Sequence, residues 1–306
     1  MIRRPPRSTP SNSSAASDVY KRQGLKYFIY GAVASAVMLY GLSLLYGLTG
    51  NVEIGAMADA LSVSGETLLA AVAAGLVLVG IGYKIAMAPF HFWAPDVYEG
   101  APTPVTAFLS VGPKLAGFAL LARILHPILA TAPFAWPAAI GVLSALTMFT
   151  GNLLAIRQQN IKRMLAYSSI AHAGYLLIGI AVVGRDPLGL GLSAVVVYAV
   201  AYLLMNLGAF AVAVAVEEET GSSLISAFAG LASRAPALAA AMVVFLIALT
   251  GIPPTVGFVG KLMLFAAAIK APGFAWLAVL GIVNSVISLY YYMNVVKAMY
   301  FGTGQA

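Results

Sequence analysis

The sequence predicts an all-α polytopic membrane protein with about eight transmembrane helices, two of them discontinuous. Hydrophobic residues make up 61% of the 306-residue chain and charged residues only 9%, whereas a soluble domain carries about 25% charged residues. A helix needs about 20 mostly apolar residues to cross a bilayer, and segments near this length follow one another along the chain. Proline clusters interrupt two of these segments.

Eight apolar segments are candidate membrane spans. They lie roughly at 25–48, 66–88, 103–126, 136–156, 163–183, 190–216, 236–269 and 274–301. The connections are short and hold most of the charge, and the longest are 49–65 and 217–235. They leave no room for a soluble domain. The 30 glycines suit a helical bundle in lipid, because small residues let helices approach closely.

The first 23 residues differ in composition from the rest of the chain. They are polar and rich in proline, serine and arginine, and they hold five of the 17 lysines and arginines. The run from Asp18 to Gln23, DVYKRQ, resembles a translated transposon end used in sequencing libraries. We expect residues 1–23 to be disordered and adapter-derived, and residues 24–306 to form the transmembrane domain of a fragment. A basic cytoplasmic tail is the alternative. Neither reading gives a reason to expect a nucleic-acid partner.

Basic residues in the connections predict the orientation, because lysine and arginine are enriched in cytoplasmic loops. We name the side at which the first span begins side X, and the opposite side, side Y. Alternation through eight spans assigns six basic residues to side X, namely Lys26, Arg157, Lys162, Arg163, Arg234 and Lys297. It assigns three to side Y, namely Arg123, Arg185 and Lys270. The excess predicts that side X is the cytoplasm.

Two spans contain prolines that predict helix breaks. Segment 66–88 meets Pro89 at its end, and segment 236–269 contains Pro253 and Pro254 in its interior. Proline removes a backbone donor and clashes with the preceding turn. The freed carbonyls must then face protein or water within a membrane. Paired broken helices in the two halves of a chain indicate a transport site.

Three lysines lie within the apolar spans: Lys84, Lys114 and Lys261. A charged lysine at the bilayer centre costs roughly 3 kcal/mol on insertion scales, so three of them predict a polar path. We assign all three to proton transfer. The alternative is a structural role, in which the amines bind backbone carbonyls or reach the interface. Lys84 and Lys261 both lie on side Y of their breaks, the relation expected of inverted-topology repeats.

Two histidines are candidate relay residues. His172 lies in the span 163–183 among hydroxyl-bearing residues, and His91 lies beside the first break. Imidazole changes its protonation near neutral pH, so we assign both to proton transfer. The alternative for each is a hydrogen-bonded core histidine.

Other chemistries have no support in the sequence. The chain has no cysteine, which excludes iron–sulfur ligation by thiolates. The histidines lack metal-ligand spacing, and no Walker motif, dinucleotide fingerprint or catalytic triad is present. We therefore expect no catalytic residue, no metal site and no cofactor bound by this chain. An interfacial aromatic belt is expected from Tyr290, Tyr291, Tyr292 and Tyr300.

The motifs resemble one family closely. KIAMAPFHFWAPDVYEGAPTPVTAFL, followed by SVGPKLAGFALLARIL, resembles subunit N of the proton-pumping NADH-quinone oxidoreductase, respiratory complex I. GNLLAIRQQNIKRMLAYSSIAHAGYLL, YLLMNLGAFAV and LTGIPPTVGFVGKLMLF are similar to the same family in the same order. The resemblance covers essentially all of 24–301. Mrp-type cation/proton antiporters share the NIKRxLAYSSIAHxGY core and are the alternative, but the PDVYEGAPTPVTAF stretch favours subunit N.

The resemblance implies a fold and a set of roles. The family fold has fourteen helices with two inverted five-helix repeats, and this chain would cover helices six to thirteen. The fifth helix, whose glutamate pairs with the first lysine, and the fourteenth would be absent. Lys84, Lys114 and Lys261 match the lysines of the family's hydrophilic axis, which histidines and water join.

The resemblance also implies a role in a larger enzyme. The chain would be a non-redox subunit that translocates protons, coupled to quinone reduction in partner subunits. Those subunits would carry NADH, FMN, iron–sulfur clusters and quinone. Expected contacts are lipid and the other membrane subunits of complex I, including antiporter-like neighbours. The expected location is the bacterial inner (plasma) membrane.

Overall fold

A computed structural model describes residues 12–64, 67–125 and 136–302. The described residues include a π-helical turn at Leu121–Leu125 and a 3₁₀ turn at Ile225–Phe228. The α-helices in the described ranges are α1 (Asn12–Thr49), α2 (Ile54–Ser64), α3 (Thr67–Ile85), α4 (Trp93–Gly100), α5 (Thr103–Leu120), α6 (Trp136–Ala155), α7 (Ile161–Val182), α8 (Leu190–Thr220), α9 (Leu231–Arg234), α10 (Pro236–Thr250), α11 (Val256–Lys270) and α12 (Ala275–Phe301).

Most of these helices are membrane spans. Within the described residues, seven helices are long and apolar enough to cross a membrane: α1, α3, α5, α6, α7, α8 and α12. α10 and α11 have 15 residues each, about 22 Å at 1.5 Å per residue. They follow each other across a short break and form an interrupted eighth crossing. The predicted fold class, an all-α polytopic membrane protein with about eight spans, is confirmed.

Two stretches that the sequence assigns to irregular structure are helical. α1 begins at Asn12 and includes residues 12–23, for which the sequence predicts disorder; residues 1–11 lie outside the described residues. Once the apolar helix has formed, each further residue adds a hydrogen bond without a new nucleation cost. The predicted connection 49–65 contains helix α2. The adapter origin of residues 1–23 stays a prediction.

α7 is the central helix of the bundle. All of its residues except Arg163 are buried, and it packs against α4, α5, α6, α8, α11 and α12. A helix covered on every side must find partners inside the protein for each polar side chain. Its start is fixed by Asn160, whose side chain accepts hydrogen bonds from the backbone N–H groups of Lys162 and Arg163.

The first helix break separates α3 from α4 and contains Pro89. Ala86, directly after α3, adopts the left-handed conformation with φ of 57°, which turns the chain out of the helix. The backbone N–H of Ala88 donates to the Thr147 hydroxyl of α6 at 3.1 Å. Protein groups therefore bind the irregular backbone, as the membrane interior requires.

The second helix break separates α10 from α11 and contains Pro253 and Pro254. Gly251, directly after α10, has φ of 86°. A β-carbon at this position would lie 2.8 Å from Cδ of Lys261. Glycine is therefore needed both for the backbone conformation and for the space beside Lys261. Thr255 then caps α11 by accepting a hydrogen bond from a backbone N–H of the first turn.

The ion pairs of the described residues cluster at the helix ends on side X. They are Lys26–Asp96, Arg163–Asp96 and Arg163–Glu99, each at 2.8 Å, with Lys162–Glu217 at 3.3 Å and Arg234–Glu219 at 2.7 Å. Asp96 accepts from cations of two helices, so it links α1, α4 and α7. Glu217 links α8 to α7 and also accepts from the Thr103 hydroxyl of α5.

Replacing Gly151 tests the close contact of α6 with α7. A β-carbon at Gly151 would lie 2.6 Å from the carbonyl oxygen of Tyr167, so Gly151→Ala must push the two helices apart. We expect a loss of about 1–3 kcal/mol in the free energy of unfolding, the usual cost of overpacking. The midpoint of thermal unfolding in detergent measures this loss. Gly47→Ala is the control, because nothing lies within 4 Å of the added carbon. Equal midpoints in the two variants would contradict the packing.

Candidate functional site

Polar residues of α7 lie on one face of the helix. Ser168, Ser169, His172 and Tyr175 are separated by helical spacings that bring them to the same side, and all four are buried. A buried polar side chain costs free energy unless it is hydrogen-bonded. This face meets partners from α5, α8, α11 and α12, and the contacts form three clusters.

The first cluster holds Lys114 of α5, which is only 1% exposed. Its Nζ donates to the Ser169 backbone carbonyl at 2.8 Å and to the Ser169 hydroxyl at 2.7 Å. In the described part of the chain, no acidic side chain pairs with this amine. Neutral oxygens of the central helix therefore bind it.

Pro113 modifies the helix next to Lys114. Proline has no backbone N–H, so the carbonyl of Leu109, one turn earlier, loses its helical partner. The Tyr98 hydroxyl of α4 donates to that carbonyl at 3.2 Å. A side chain from the segment after the first break thus completes the hydrogen bonding of α5 beside the buried amine.

The second cluster holds Lys261 of α11, which is 3% exposed. Its Nζ donates to the carbonyls of Thr250 at 2.8 Å and Leu249 at 3.2 Å, and to the Ser285 hydroxyl at 3.0 Å. The two carbonyls end α10, where the helix dipole is negative and favours a cation. The Tyr175 hydroxyl lies 3.2 Å from Ser285 Oγ, and the Tyr175 ring centre lies 4.3 Å from the amine. The break therefore provides the binding site for Lys261.

The third cluster surrounds His172, which is 2% exposed. Its Nδ1 lies 2.5 Å from the Tyr198 hydroxyl of α8, and its Nε2 lies 3.3 Å from the Tyr292 hydroxyl of α12. The Tyr292 hydroxyl also lies 2.5 Å from Ser168 Oγ. A hydroxyl both donates and accepts, so the imidazole has a partner at each nitrogen in either neutral tautomer.

α7 brings the three clusters into a row. In order along the helix they are Lys114–Ser169, Ser168–Tyr292–His172–Tyr198 and Tyr175–Ser285–Lys261. From Ser169 to Tyr175 the helix rises about 9 Å at 1.5 Å per residue. Among the described side chains, no hydrogen bond joins one cluster to the next. We call this arrangement the α7 row.

Lys84 lies outside the α7 row. It occupies the last turn of α3, and its side chain is exposed. It borders a cavity of about 360 Å³ between α1, α3 and α5, which Tyr27, Trp93 and Pro113 also line. Of the three predicted lysines, the structure therefore buries Lys114 and Lys261 and leaves Lys84 facing a cavity.

His91 also lies outside the α7 row. It is 5% exposed and sits in the first break, where its Nδ1 is buried and has no hydrogen-bond partner among the described residues. It borders a cavity of about 310 Å³ near side X, together with Asp96, Arg163 and Tyr167. The structure thus separates the two predicted histidines.

The expected tyrosine belt is wrong for two of its four members. Tyr291 is 2% exposed and Tyr292 is 0% exposed, whereas Tyr290 and Tyr300 are exposed. Successive residues of a helix point in different directions around its axis, so the three tyrosines of this run cannot all point away from the bundle. Helical periodicity was the signal that separates Tyr290 from its neighbours. Nothing comparable in the sequence points to Tyr198.

No metal site appears in the part of the chain that the structure describes, since no group of three or more histidine, aspartate or glutamate side chains lies close enough to hold an ion.

The fold and the site define a class: an antiporter-like polytopic membrane protein with two broken helices and lysines bound inside the bundle. The chain belongs to the NADH:quinone oxidoreductase/Mrp antiporter transmembrane family, whose family model matches residues 13–288.

Individual relatives agree with this family. The chain is 50% identical over 303 residues to NADH-quinone oxidoreductase subunit N of Anaeromyxobacter sp. (strain Fw109-5), covering 90% of this chain and 58% of the relative. A chain of respiratory complex I from Thermus thermophilus with bound aureothin has a TM-score of 0.78 at 40% identity, covering 93% of this chain and 60% of that one.

A second structural relative comes from an antiporter. A chain of the Mrp complex from Dietzia sp. DQ12-45-1b has a TM-score of 0.81 at 28% identity, covering 95% of this chain and 52% of that one. This chain therefore spans a little more than half the length of the relatives that it matches.

Asp96→Asn tests the ion pairs on side X. Burial alone would raise the pKa of the Asp96 carboxyl, but hydrogen bonds and positive charges from Lys26 and Arg163 outweigh it and hold the pKa below its ordinary value of 3.8. The stability from these pairs is fully present above about pH 4, the unfolded value, and is lost as pH falls through the lower folded pKa. We expect the free energy of unfolding of the variant to be lower than that of the parent by about 1 kcal/mol at neutral pH. This difference should become smaller as the solution becomes acid.

Thermal unfolding across pH measures this difference. Asp59→Asn is the control, because Asp59 lies exposed on α2 and forms none of the ion pairs of the described residues. A stability difference between Asp96→Asn and the parent that stays constant down to low pH would contradict the role of the charged carboxylate.

Proposed function

We propose that this chain is part of subunit N of a proton-translocating NADH-quinone oxidoreductase and carries protons across the membrane. The α7 row is the observation that carries the proposal. It has an amine at each end, Lys114 and Lys261, with the imidazole of His172 between them. The subunit N relatives support the same assignment.

The chemistry of the row suits proton transfer. Amines and imidazoles take up and release protons, and the hydroxyls beside them both donate and accept. In the proposed relay, water molecules complete the steps between the clusters, because water bridges polar groups that direct hydrogen bonds do not reach. Protons then move between Lys114, His172 and Lys261. His91 is assigned to exchange with the cavity near side X.

Lys84 is proposed as the first amine of the relay. Its side chain faces the cavity between α1, α3 and α5, which supports access by water or by a further side chain. The family resemblance assigns to this lysine a glutamate partner on a preceding helix. A carboxylate beside an amine favours the charged amine, so the pair would act as a switch.

Redox chemistry is assigned to other subunits. We propose that this chain has no catalytic centre and binds no cofactor, and that NADH, FMN, iron–sulfur clusters and quinone lie in its partners. Quinone reduction would then drive proton movement here through neighbouring membrane subunits, including antiporter-like ones. The proposed location is the bacterial inner membrane. Its lipid contacts are supported by exposed apolar side chains such as Phe28, Val200 and Val286.

An antiporter subunit of the Mrp type is the second candidate. The structural similarity to a chain of the Mrp complex favours it, and such a protein would exchange a monovalent cation for protons without quinone chemistry. The neighbouring genes distinguish the two. Adjacent genes for quinone-site subunits support the oxidoreductase, and adjacent genes for cation-antiporter subunits support the alternative.

Lysine replacement tests the proton path. In the assembled membrane complex we expect Lys84→Ala and Lys261→Ala each to lower proton pumping by about tenfold or more, because a positioned proton-transfer group contributes roughly 10²–10⁴-fold in rate. Acidification of proteoliposomes during turnover measures the pumping. Lys270→Ala is the control, since Lys270 lies exposed in the last turn of α11. Normal pumping in both site variants would refute the proposed function.

Tyrosine replacement tests the middle of the row. Tyr292→Phe removes the hydroxyl that lies between Ser168 and His172, and we expect proton pumping to fall several-fold while the complex still assembles. Tyr290→Phe is the matched control, because Tyr290 is the neighbouring residue on α12 and is 59% exposed. If the two variants pump equally well, the relay does not pass through the His172 cluster.

A further inference from the structure

A buried amide lies beside the turn that precedes Lys114. Asn206 of α8 and Ser110 of α5 are both 0% exposed. The Asn206 Nδ2 donates to the Ser110 hydroxyl at 2.6 Å, and the Ser110 hydroxyl donates to the Ala107 carbonyl at 2.7 Å. The Asn206 Oδ1 is buried without a hydrogen-bond partner among the described residues. A buried acceptor without a partner is costly.

Reversing the amide does not remove this cost. If the oxygen of Asn206 faced Ser110, the hydroxyl would have to leave the Ala107 carbonyl to donate to it, and the amide NH₂ would lose its acceptor. One amide atom therefore stays unpaired in either orientation. This part of the interface between α5 and α8 has a polar group that can bind a further partner.

Lys114, four residues after Ser110 on α5, has a hydrogen-bond donor left over. A charged amine has three N–H donors, and the two bonds to Ser169 use two of them. Ser110 lies four residues before Lys114 and so on the same face of α5. Long side chains of a helix lean toward its N-terminus, so the Lys114 side chain extends over the turn that carries Ser110, the residue to which Asn206 donates.

We propose that Asn206 is a positioning residue for Lys114. The structure assigns to its free amide oxygen one water molecule, which in turn accepts the third N–H of the charged amine. Charged Lys114 then has three acceptors, two from Ser169 and one from this water. The inference rests on the proposed function, in which Lys114 takes up and releases protons. The water bound to Asn206 favours the protonated form of the Lys114 amine over the neutral form.

Other ionisable groups near Lys114 come from four helices. They are Lys84 of α3, Tyr98 of α4, His172 of α7 and Tyr202 of α8. None of them changes in an Asn206 variant, so a shift in the pH profile reports the amide itself. Tyr202 also donates to the Ser110 carbonyl at 3.1 Å, which keeps α5 and α8 joined when the amide is removed.

The experiment compares Asn206→Leu and Asn206→Asp in the assembled membrane complex. Loss of the acceptor lowers the proton affinity of Lys114, so we expect the alkaline limit of proton pumping in Asn206→Leu to move down by about one pH unit, tenfold in affinity. A carboxylate at this position favours the charged amine, so Asn206→Asp moves the limit upward. Proton pumping and quinone reduction are both measured from acid to alkaline pH.

Asn284→Leu is the control for a purely structural role. Asn284 is an equally buried amide on α12, and both of its amide atoms are hydrogen-bonded, to Asn152 and to the Leu280 carbonyl. Its loss is expected to lower thermal stability without moving the pH profile. If Asn206→Leu fails to assemble, Asn206→Asp alone decides, and an unchanged alkaline limit in that variant overturns the inference.

Lys114→Ala separates this inference from the proposed function. Normal pumping in Lys114→Ala would remove Lys114 from the relay and the inference with it. If Lys114→Ala abolishes pumping while both Asn206 variants keep the parent pH profile, the inference about Asn206 fails and the proposed function stands.

Discussion

An ionisable side chain within a membrane must find its hydrogen-bond partners inside the protein, and this constraint organises the molecule. The hydroxyl and backbone carbonyl of Ser169 on α7 bind Lys114. Tyrosine hydroxyls of α8 and α12 bind the imidazole of His172, which α7 itself carries. The end of α10 meets the same constraint with two carbonyls and the negative end of a helix dipole, which bind Lys261. The central position of α7 follows, because only a helix covered on all sides can bring partners from α5, α8, α11 and α12 together.

The two helix breaks leave the helix in the same way, but only the second one binds a lysine. Each begins with a residue in the left-handed conformation, Ala86 in the first and Gly251 in the second. At the second break the carbonyls of Leu249 and Thr250 bind Lys261, and Gly251 leaves room for the lysine stem. At the first break Lys84 points instead into a cavity. The asymmetry explains why only one of the two break lysines is buried in this chain.

Much of the fold was predictable because lipid imposes simple local rules. The spans followed from apolar length, the breaks from proline, and the lysines from charge within an apolar run. The predictions failed where these local rules do not determine the structure. The sequence predicts Tyr291 and Tyr292 in an interfacial belt, because composition does not show which side of the helix a residue occupies.

By itself the sequence determined the spans, the two breaks and the presence of amines within them, since each is a property of a few consecutive residues. The tertiary structure alone decided which polar groups meet. Ser168 and Tyr292 are 124 residues apart and touch, and Ser110 and Asn206 are 96 residues apart and share a hydrogen bond. Such contacts depend on how helices pack around α7, and the packing is fixed by side-chain shape across the whole bundle rather than by any local pattern.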